Sequence, residues 1–145
     1  MFKHILVATD GSDRSERAIR LAVDLAKSTG ARMTAVMATW PVPSVDVQGA
    51  GIAVRNEELE QNARDFARRC LAVAADAARA VGVVCETVHV IETRPYEAII
   101  QTAEANHCDL IVMASHGRSG TSALLLGSET QKVLAHTEIP VLVCR

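Results

Sequence analysis

The sequence predicts a single α/β domain in which a five-stranded parallel sheet carries helices on both faces. Short apolar runs of strand length alternate with longer amphipathic segments along all 145 residues. Helices that connect apolar strands require right-handed crossovers and parallel pairing. A hydrophobic content of 49% in a chain of this length suits one sizeable core. We find no internal repeat, and we therefore treat 1–145 as one domain of three layers.

The elements are expected in the order βαβαβαβαβ. Asp13 with Glu16 fits an N-cap with a capping box for the first helix, and Gly30 fits its C-terminal end. One face of that helix is apolar and should pack on the sheet; it consists of Ala18, Leu21, Ala22, Leu25 and Ala26. The strands are expected at 3–8, 32–39, 83–91, 109–114 and 140–144, and the later helices at 56–81, 95–106 and 129–136.

The longest helix, 56–81, repeats the amphipathic pattern over more turns. Its expected buried face consists of Leu59, Ala63, Phe66, Ala67, Cys70, Ala74 and Ala77. Before it, the segment 40–54 contains two prolines and two glycines and is expected to be an irregular loop. A loop of this length in a small domain is either functional or a solvated variable segment, and both interpretations stay open at this point.

Composition argues against several classes of function. A net charge of −2 with interspersed acids and bases provides no electrostatic footprint for nucleic acid. One Trp, one Tyr and two Phe are too few for base-stacking platforms. No apolar run is long enough for a membrane span, and the N-terminus has no signal-peptide pattern, so a cytoplasmic protein is expected. The four cysteines are widely separated, which favours free thiols.

A strand followed by a glycine-containing loop and a helix start is the most informative stretch. The run Asp109-Leu110-Ile111-Val112-Met113-Ala114 reads as a buried parallel strand, and Ser115-His116-Gly117-Arg118 follows it. Gly127 and Ser128 come ten positions later, with Ser128 as a good helix N-cap. Free amides and the positive end of a helix dipole converge in such an arrangement. The sequence therefore predicts a ligand that carries phosphate.

The ligand should lie where the first and fourth strands end. In open α/β sheets, ligands bind beyond the carboxyl ends of strands at the point where the strand order reverses. The two loops that leave these strands, 9–13 and 114–127, are rich in glycine and small polar residues. Neither loop contains a P-loop, a GxGxxG motif or a GxSxG elbow. We also find no activated nucleophile, no paired carboxylates and no histidine spacing for a metal.

Four segments together resemble the universal stress protein family. These are Val7-Ala8-Thr9-Asp10-Gly11-Ser12, the stretch from Asp109 to Arg118, Leu125-Leu126-Gly127-Ser128, and Ile139-Pro140-Val141-Leu142-Val143. The resemblance covers the whole chain, in order and at ordinary spacing. It implies the adenine nucleotide alpha hydrolase-like fold with strand order 3-2-1-4-5. It also implies a homodimer that pairs through the last strand, from Pro140 to Cys144.

The ATP-binding branch of that family carries the motif G-x2-G-x9-G-[ST]. This chain reads Ala114-x2-Gly117-x9-Gly127-Ser128, so the spacing is intact and alanine replaces the first glycine. The methyl group is harmless if Ala114 has ordinary strand dihedrals, and it crowds the ligand if that position requires φ > 0. We favour retained nucleotide binding, with a sister branch that does not bind ATP as the competitor.

The resemblance also assigns roles to individual residues. It places Asp10 near the ribose and near Mg²⁺, the amides of Gly117 and Gly127 at the phosphates, and Ala38 with Met113 around adenine. Each role has a structural alternative, namely an Asx-turn, turn chemistry and core packing. The residues predicted to contact the nucleotide are Ala8, Thr9, Asp10, Ala38, Met113, Ala114, His116, Gly117, Arg118, Gly127, Ser128, Glu129 and Thr130.

Two functions follow from these observations. The first is a cytoplasmic stress-response or signalling protein that binds ATP, or another adenine nucleotide, with Mg²⁺ and acts on an unknown signalling partner. The alternative is a nucleotide-free dimeric interaction module of the same fold, which Ala114 and Glu129 favour, since a carboxylate near phosphates would repel them. We do not expect an enzyme, and slow ATP hydrolysis or phosphotransfer stays open at this point.

Overall fold

Five parallel strands form the central sheet, and four helices cover it in the part of the chain that is described. The structure is a computed structural model, and it describes residues 1–46, 49, 51, 53–117 and 125–145. The elements along the chain are β1 (His4–Ala8), α1 (Asp13–Thr29), β2 (Arg32–Thr39), β3 (Val45–Asp46), β4 (Ala53–Val54), α2 (Glu57–Ala80), β5 (Cys85–Ile91), α3 (Pro95–Ala105), β6 (Leu110–Ala114), α4 (Ser128–His136) and β7 (Val141–Cys144).

The strand order of the main sheet is β5-β2-β1-β6-β7, with all neighbours parallel. This is the predicted order 3-2-1-4-5, and the prediction is confirmed. The strand numbers differ because the segment 40–54, expected to be irregular, contains a short antiparallel pair. In that pair Val45 lies opposite Val54, and Asp46 lies opposite Ala53.

Alternate residues of the strands face the two helical layers. Ile5 and Val7 of β1 pack in the core cluster that contains α1 and α2, and Leu6 packs in the cluster that contains α3 and α4. Successive side chains of a strand point to opposite faces, so a strand buried on both faces reads as a continuous apolar run. The three-layer arrangement follows from this pattern.

The cap of α1 lies one residue earlier than expected. Ser12 is the N-cap, and its hydroxyl accepts from the Ser15 amide at 3.2 Å, whereas Asp13 is the first helical residue. The reason is local: the Asp10 carboxylate accepts from the Ser12 amide at 2.9 Å, and this Asx-turn holds Ser12 in extended backbone. Gly30, with φ of 72°, ends the helix as predicted.

Two leucines expected in the core are exposed. Leu21 is 38% exposed and Leu59 is 49% exposed, so both lie at the margin of their helical faces. The buried face of α1 also includes Ile19 and Val23. The helical period predicts which residues share one face of a helix. It does not predict the angle at which the helix crosses the sheet, and that angle decides which residues of the face are buried.

Asp109 aligns the first and fourth strands of the predicted order. Its carboxylate accepts from the amides of Lys3 at 2.9 Å and His4 at 3.1 Å, immediately before β6. Burial alone would raise the pKa of Asp109, but these backbone hydrogen bonds lower it below its ordinary value. The contact brings β1 and β6 into register, so that their carboxyl ends open at the same edge of the sheet. Among the described helices, none is both long and apolar enough to cross a membrane.

Candidate functional site

A cavity of about 460 Å³ opens at the carboxyl ends of β1, β2 and β6. This is the edge that the strand-order argument indicates. The cavity is large enough for a small-molecule ligand, since such sites span roughly 300–1,000 Å³. Its lining consists of Ala8, Thr9, Asp10, Ser15, Val36, Met37, Ala38, Thr39, Trp40, Phe66, Pro95, Ile99, Met113, Ala114, His116, Gly117 and Glu129. We call it the carboxyl-end cavity.

The loop after β1 is held in place by its own hydrogen bonds. The Thr9 amide donates to the Val36 carbonyl at 3.0 Å, and the Thr9 hydroxyl lies 3.0 Å from that of Ser15. The Gly11 amide donates to the same Thr9 hydroxyl at 3.2 Å. Together with the Asx-turn, these bonds give Asp10 a defined place in the cavity wall.

Gly117 lies directly against Asp10. A Cβ atom at position 117 would approach Asp10 Oδ2 to 2.8 Å, which is closer than real Cβ contacts allow. Gly117 is not among the positive-φ residues, so its glycine identity reflects this close approach and not backbone conformation. The two loops that leave β1 and β6 therefore meet at the Asp10 carboxylate.

Ala114 has ordinary strand geometry. It is the last residue of β6, it pairs with Cys144 of β7, and it is absent from the positive-φ residues. The hydroxyl of Thr130 donates to its carbonyl at 3.0 Å. Its side chain is one of those that line the carboxyl-end cavity. The methyl group therefore requires no unusual backbone conformation; Ala114 borders the cavity and also belongs to the core cluster that contains α1 and α2.

The residues around the start of α4 connect this helix to β6. The N-cap of α4 is Gly127, and Ser128, expected at that position, is the first helical residue. The Gly127 amide donates to the Ser115 carbonyl at 2.7 Å, and a Cβ atom there would lie 3.1 Å from that oxygen. Thr130 is buried and bonds to the end of β6. Gly127, Ser128 and Thr130 do not line the carboxyl-end cavity.

The carboxylate of Glu129 is directed toward α3. Its Oε2 accepts from the Tyr96 amide at 2.9 Å, and its Oε1 lies 3.3 Å from Lys132 Nζ. Tyr96 is in the first turn of α3, where amides have no intrahelical acceptor. Glu129 thus satisfies an amide of a neighbouring helix, although its side chain also borders the cavity. This arrangement gives its charge a local partner and reduces the conflict with phosphate noted above.

His116 and Arg118 belong to the loop after β6. His116 is 7% exposed, and its Nδ1 lies 3.1 Å from the Ser115 hydroxyl. Arg118 lies outside the described residues. Within the ranges that the structure describes, no group of three or more histidine, cysteine, aspartate or glutamate side chains converges as a metal site.

The structure thus gathers most of the predicted residues at one cavity. Ala8, Thr9, Asp10, Ala38, Met113, Ala114, His116, Gly117 and Glu129 all line it. Sequence reasoning missed three lining side chains in particular, Trp40, Phe66 and Pro95. Trp40 directly follows β2, so it lies beyond the carboxyl end of a strand, where ligands bind in open α/β sheets. Phe66 lies on a helix distant in sequence, and only the packing of α2 brings it to the cavity.

The fold and the cavity define an α/β domain of the adenine nucleotide alpha hydrolase-like class. The family model described as "Universal stress protein family" matches residues 1–145. A universal stress protein of Thermus aquaticus, described by its position 3′ of the QAH/OAS sulfhydrylase gene, is 39% identical over 145 residues, with 100% of both chains covered. The chain belongs to the universal stress protein family.

Solved structures share the fold. Protein MJ0577 of Methanocaldococcus jannaschii has a TM-score of 0.80 at 24% identity, covering 99% of this chain and 96% of that one. A universal stress protein in complex with cAMP has a TM-score of 0.74 at 24% identity, covering 99% and 97%. The Archaeoglobus fulgidus universal stress protein in complex with dAMP has a TM-score of 0.68 at 23% identity, covering 99% and 98%. At these identities the likeness establishes the fold alone.

Proposed function

We propose that this protein is a cytoplasmic stress-response or signalling protein that binds an adenine nucleotide in the carboxyl-end cavity. The observation that carries the proposal is that apolar side chains and the contact between Asp10 and Gly117 share one cavity. Val36, Ala38, Ile99 and Met113 provide apolar surface, and Asp10 provides a carboxylate next to Gly117. Two structural neighbours are described in complex with cAMP and dAMP.

ATP with Mg²⁺ is the specific ligand that we propose. The motif spacing that ends at Gly127 and Ser128 supports a polyphosphate that extends beyond the cavity to the start of α4, where the first-turn amides have no intrahelical acceptor. The Gly127 amide, which was expected at the phosphates, is engaged by the Ser115 carbonyl. Asp10 is the residue suited to orient Mg²⁺ on the phosphates, because carboxylate oxygens are ligands that this ion prefers. Gly117 supports this role, since it leaves the space that the Asp10 carboxylate occupies.

Equilibrium binding of ATP with Mg²⁺ tests the proposal. Trp40 is the one tryptophan of the chain, and it lines the cavity, so its fluorescence should report occupancy. We expect saturable binding by fluorescence and calorimetry, with weaker binding by Gly117→Ala, whose methyl group displaces the Asp10 carboxylate. Gly82→Ala controls for a loss of stability, since Gly82 has φ of +78° and is not part of the cavity: it should unfold more easily and still bind ATP as the natural protein does. Absence of binding at millimolar ATP would refute the proposal.

The nucleotide-free interaction module is the second candidate, and Ala114 is the observation that favours it. Its methyl group lines the cavity in place of the glycine of the motif. Ala114→Gly separates the two candidates, because the backbone there accepts either residue. Comparable ATP binding by both proteins supports the first function. Binding by Ala114→Gly alone would assign the natural chain to the second.

We further propose that the protein binds nucleotide without catalytic turnover and pairs as a homodimer through β7. The β7 strand lies at one end of the main sheet, and an edge strand presents unpaired backbone groups. Light scattering should give a dimer at micromolar concentration, and a monomer would contradict the pairing. Phosphate release from ATP should stay at background. Phosphate release above background by the natural protein, abolished in both Asp10→Ala and Ser128→Ala, would instead indicate an enzyme.

A further inference from the structure

Another cavity, of about 430 Å³, lies between α2 and β5 and shares no lining residue with the carboxyl-end cavity. Its lining consists of Arg64, Arg68, Leu71, Ala72, Ala75, Asp76, Arg79, Thr87 and His89. Three of these side chains are guanidinium groups and one is a carboxylate. We call this surface the arginine groove.

The three arginines occupy one face of α2. Arg64 and Arg68 are four residues apart, and Arg79 follows Arg68 by eleven residues, or about three turns of 3.6 residues. The sequence pattern does not distinguish them from other arginines, because arginines on the outer face of an amphipathic helix are ordinarily solvated. Their significance comes from the strand beside them.

β5 is an edge strand of the main sheet as described. Two hydrogen bonds show which residues of this segment turn their backbone groups toward β2. The Met33 amide donates to the Val84 carbonyl at 2.8 Å, and the Glu92 amide donates to the Thr39 carbonyl at 2.9 Å. In a parallel ladder, the even-numbered residues then bond to β2, and the backbone groups of Thr87 and His89 point away from the sheet. The same two residues line the arginine groove, and the His89 ring nitrogen Nε2 also lies 2.7 Å from the Thr39 hydroxyl of β2.

The guanidinium groups are only partly neutralised by the protein. Arg68 pairs with Asp65 at 3.0 Å and Arg79 with Asp76 at 3.0 Å, in both cases as exposed neighbours on the helix. Exposed pairs of this kind contribute little and exchange readily.

Arg64 has the weakest pairing of the three. It lies 3.9 Å from the Glu60 carboxylate, which Arg55 already holds with two hydrogen bonds. Arg64 also contributes, after burial, to the lowered pKa of His89. The groove therefore keeps positive charge next to two residues of an edge strand.

We propose that the arginine groove binds an extended acidic segment of a partner protein, which adds to β5 as a further strand. Edge strands bind peptides through main-chain hydrogen bonds, with specificity from alternate side chains. Arg64 and Arg68 are separated by about 6 Å along the helix axis. Alternate residues of a strand are separated by about 6.6 Å, so two acidic side chains at i and i+2 match the two arginines.

A synthetic octapeptide of alternating glutamate and threonine is the probe. It is compared with a glutamine–threonine peptide and with the acidic peptide N-methylated at every residue, which keeps the charge and removes the amide donors of both strand edges. We expect the acidic peptide to bind and the other two to bind at least about tenfold more weakly. The glutamine–threonine peptide lacks the charge, and the N-methylated peptide lacks the amide donors. Amide exchange of Thr87 and His89 should slow in the complex.

Two protein variants of equal charge separate the groove from the rest of the surface. Arg64→Gln/Arg68→Gln should bind the acidic peptide at least about tenfold more weakly. Arg17→Gln/Arg20→Gln removes two exposed arginines of α1 and should bind as the natural protein does.

Other results would overturn the proposal. If the N-methylated peptide binds as tightly as the acidic peptide, strand addition is excluded. If the α1 variant loses as much affinity for the acidic peptide as the groove variant, the effect comes from net charge alone. An oligothymidylate of equal charge that binds as tightly as the peptide would indicate an unspecific polyanion surface. Absence of peptide binding at millimolar concentration and low salt would refute the proposal directly.

Discussion

Two cavities in the described part of the chain, the carboxyl-end cavity and the arginine groove, have nearly the same volume, about 460 and 430 Å³, yet their linings differ in kind. The carboxyl-end cavity is shaped by backbone turns and small residues, and a single methyl group at Gly117 would meet the Asp10 carboxylate at 2.8 Å. The arginine groove is lined by long side chains of α2, and the backbone of this helix does not depend on them. The first site should therefore be sensitive to added atoms, and the second only to changes in charge.

The largest effect is expected at Gly11, in the loop that carries Asp10. Gly11 has φ of +81°, and a Cβ there would lie 2.7 Å from Cys70 Sγ. Gly11→Ala combines left-handed strain with overpacking, and we expect it to lower the free energy of unfolding by about 2–4 kcal/mol. Urea unfolding measures this loss.

Gly30→Ala is the matched control for that experiment. Gly30 has φ of +72°, and a Cβ atom there would have no other atom within 4 Å, so the variant should lose only the backbone part, about 1 kcal/mol. Equal losses in the two variants would show that the Cys70 side chain moves aside freely. The loop after β1 would then tolerate added atoms, contrary to the comparison.

Two substitutions of Glu129 test whether its negative charge affects nucleotide binding in the carboxyl-end cavity. Glu129→Ala removes the acceptor of the Tyr96 amide and should lower the free energy of unfolding by about 1 kcal/mol. Glu129→Gln retains an amide oxygen as acceptor and should be close to the natural protein in urea unfolding. Both variants should bind ATP with Mg²⁺ at least as tightly, because a nearby negative charge is removed. Weaker binding by Glu129→Gln would indicate that the carboxylate takes part in the site.

The pKa of His89 reports the charge of the arginine groove. Burial and then Arg64 lower it below 6.5. Arg64→Gln removes the second cause, so the pKa of His89 should rise toward 6.5 without passing it, as measured by NMR titration. An unchanged pKa would place Arg64 too far from the ring.

The same shift has a consequence for stability. Because the folded pKa is the lower one, the unfolded chain binds the proton first, and stability falls as the pH drops below 6.5 toward the folded pKa. In Arg64→Gln the two pKa values are closer, so the free energy of unfolding should decline less over that range. Urea unfolding at several pH values between about 5 and 8 measures the difference, as compared with the unmodified chain.

The smallest effect is expected at Arg68. Its pair with Asp65 is exposed, with 74% and 37% of the side chains accessible. Arg68→Gln should change the free energy of unfolding by less than about 0.5 kcal/mol, because exposed ion pairs contribute little. A loss above about 1 kcal/mol would show that the groove is part of the stability of the fold.

Much of the fold was predictable because it depends on periodicity. The apolar runs and helical patterns determine the order of the elements, and the family resemblance supplied the strand order that the structure confirms. The differences are local. Ser12 replaces Asp13 as N-cap because the Asp10 Asx-turn holds it there, and Leu59, in the first turn of α2, is 49% exposed although the helical period places it on the apolar face.

The candidate site was predictable to the extent that its residues follow strands. Asp10, Ala38 and Met113 lie at or just beyond strand ends, and the carboxyl-end rule places them together. Phe66 was missed because it reaches the cavity from a helix that is distant in sequence. The role of Gly117 was also out of reach, because it depends on a contact of 2.8 Å between two loops.

By itself, the sequence determined the class of fold, the sheet edge that holds the carboxyl-end cavity, and the family. These depend on alternation, helical period and motif spacing, which are local properties of the chain. Tertiary structure alone decided that Glu129 faces the start of α3, and that three helical arginines share a groove with two residues of the edge strand β5. Such features arise where elements distant in sequence pack together, and their geometry is set by the contacts of the whole fold.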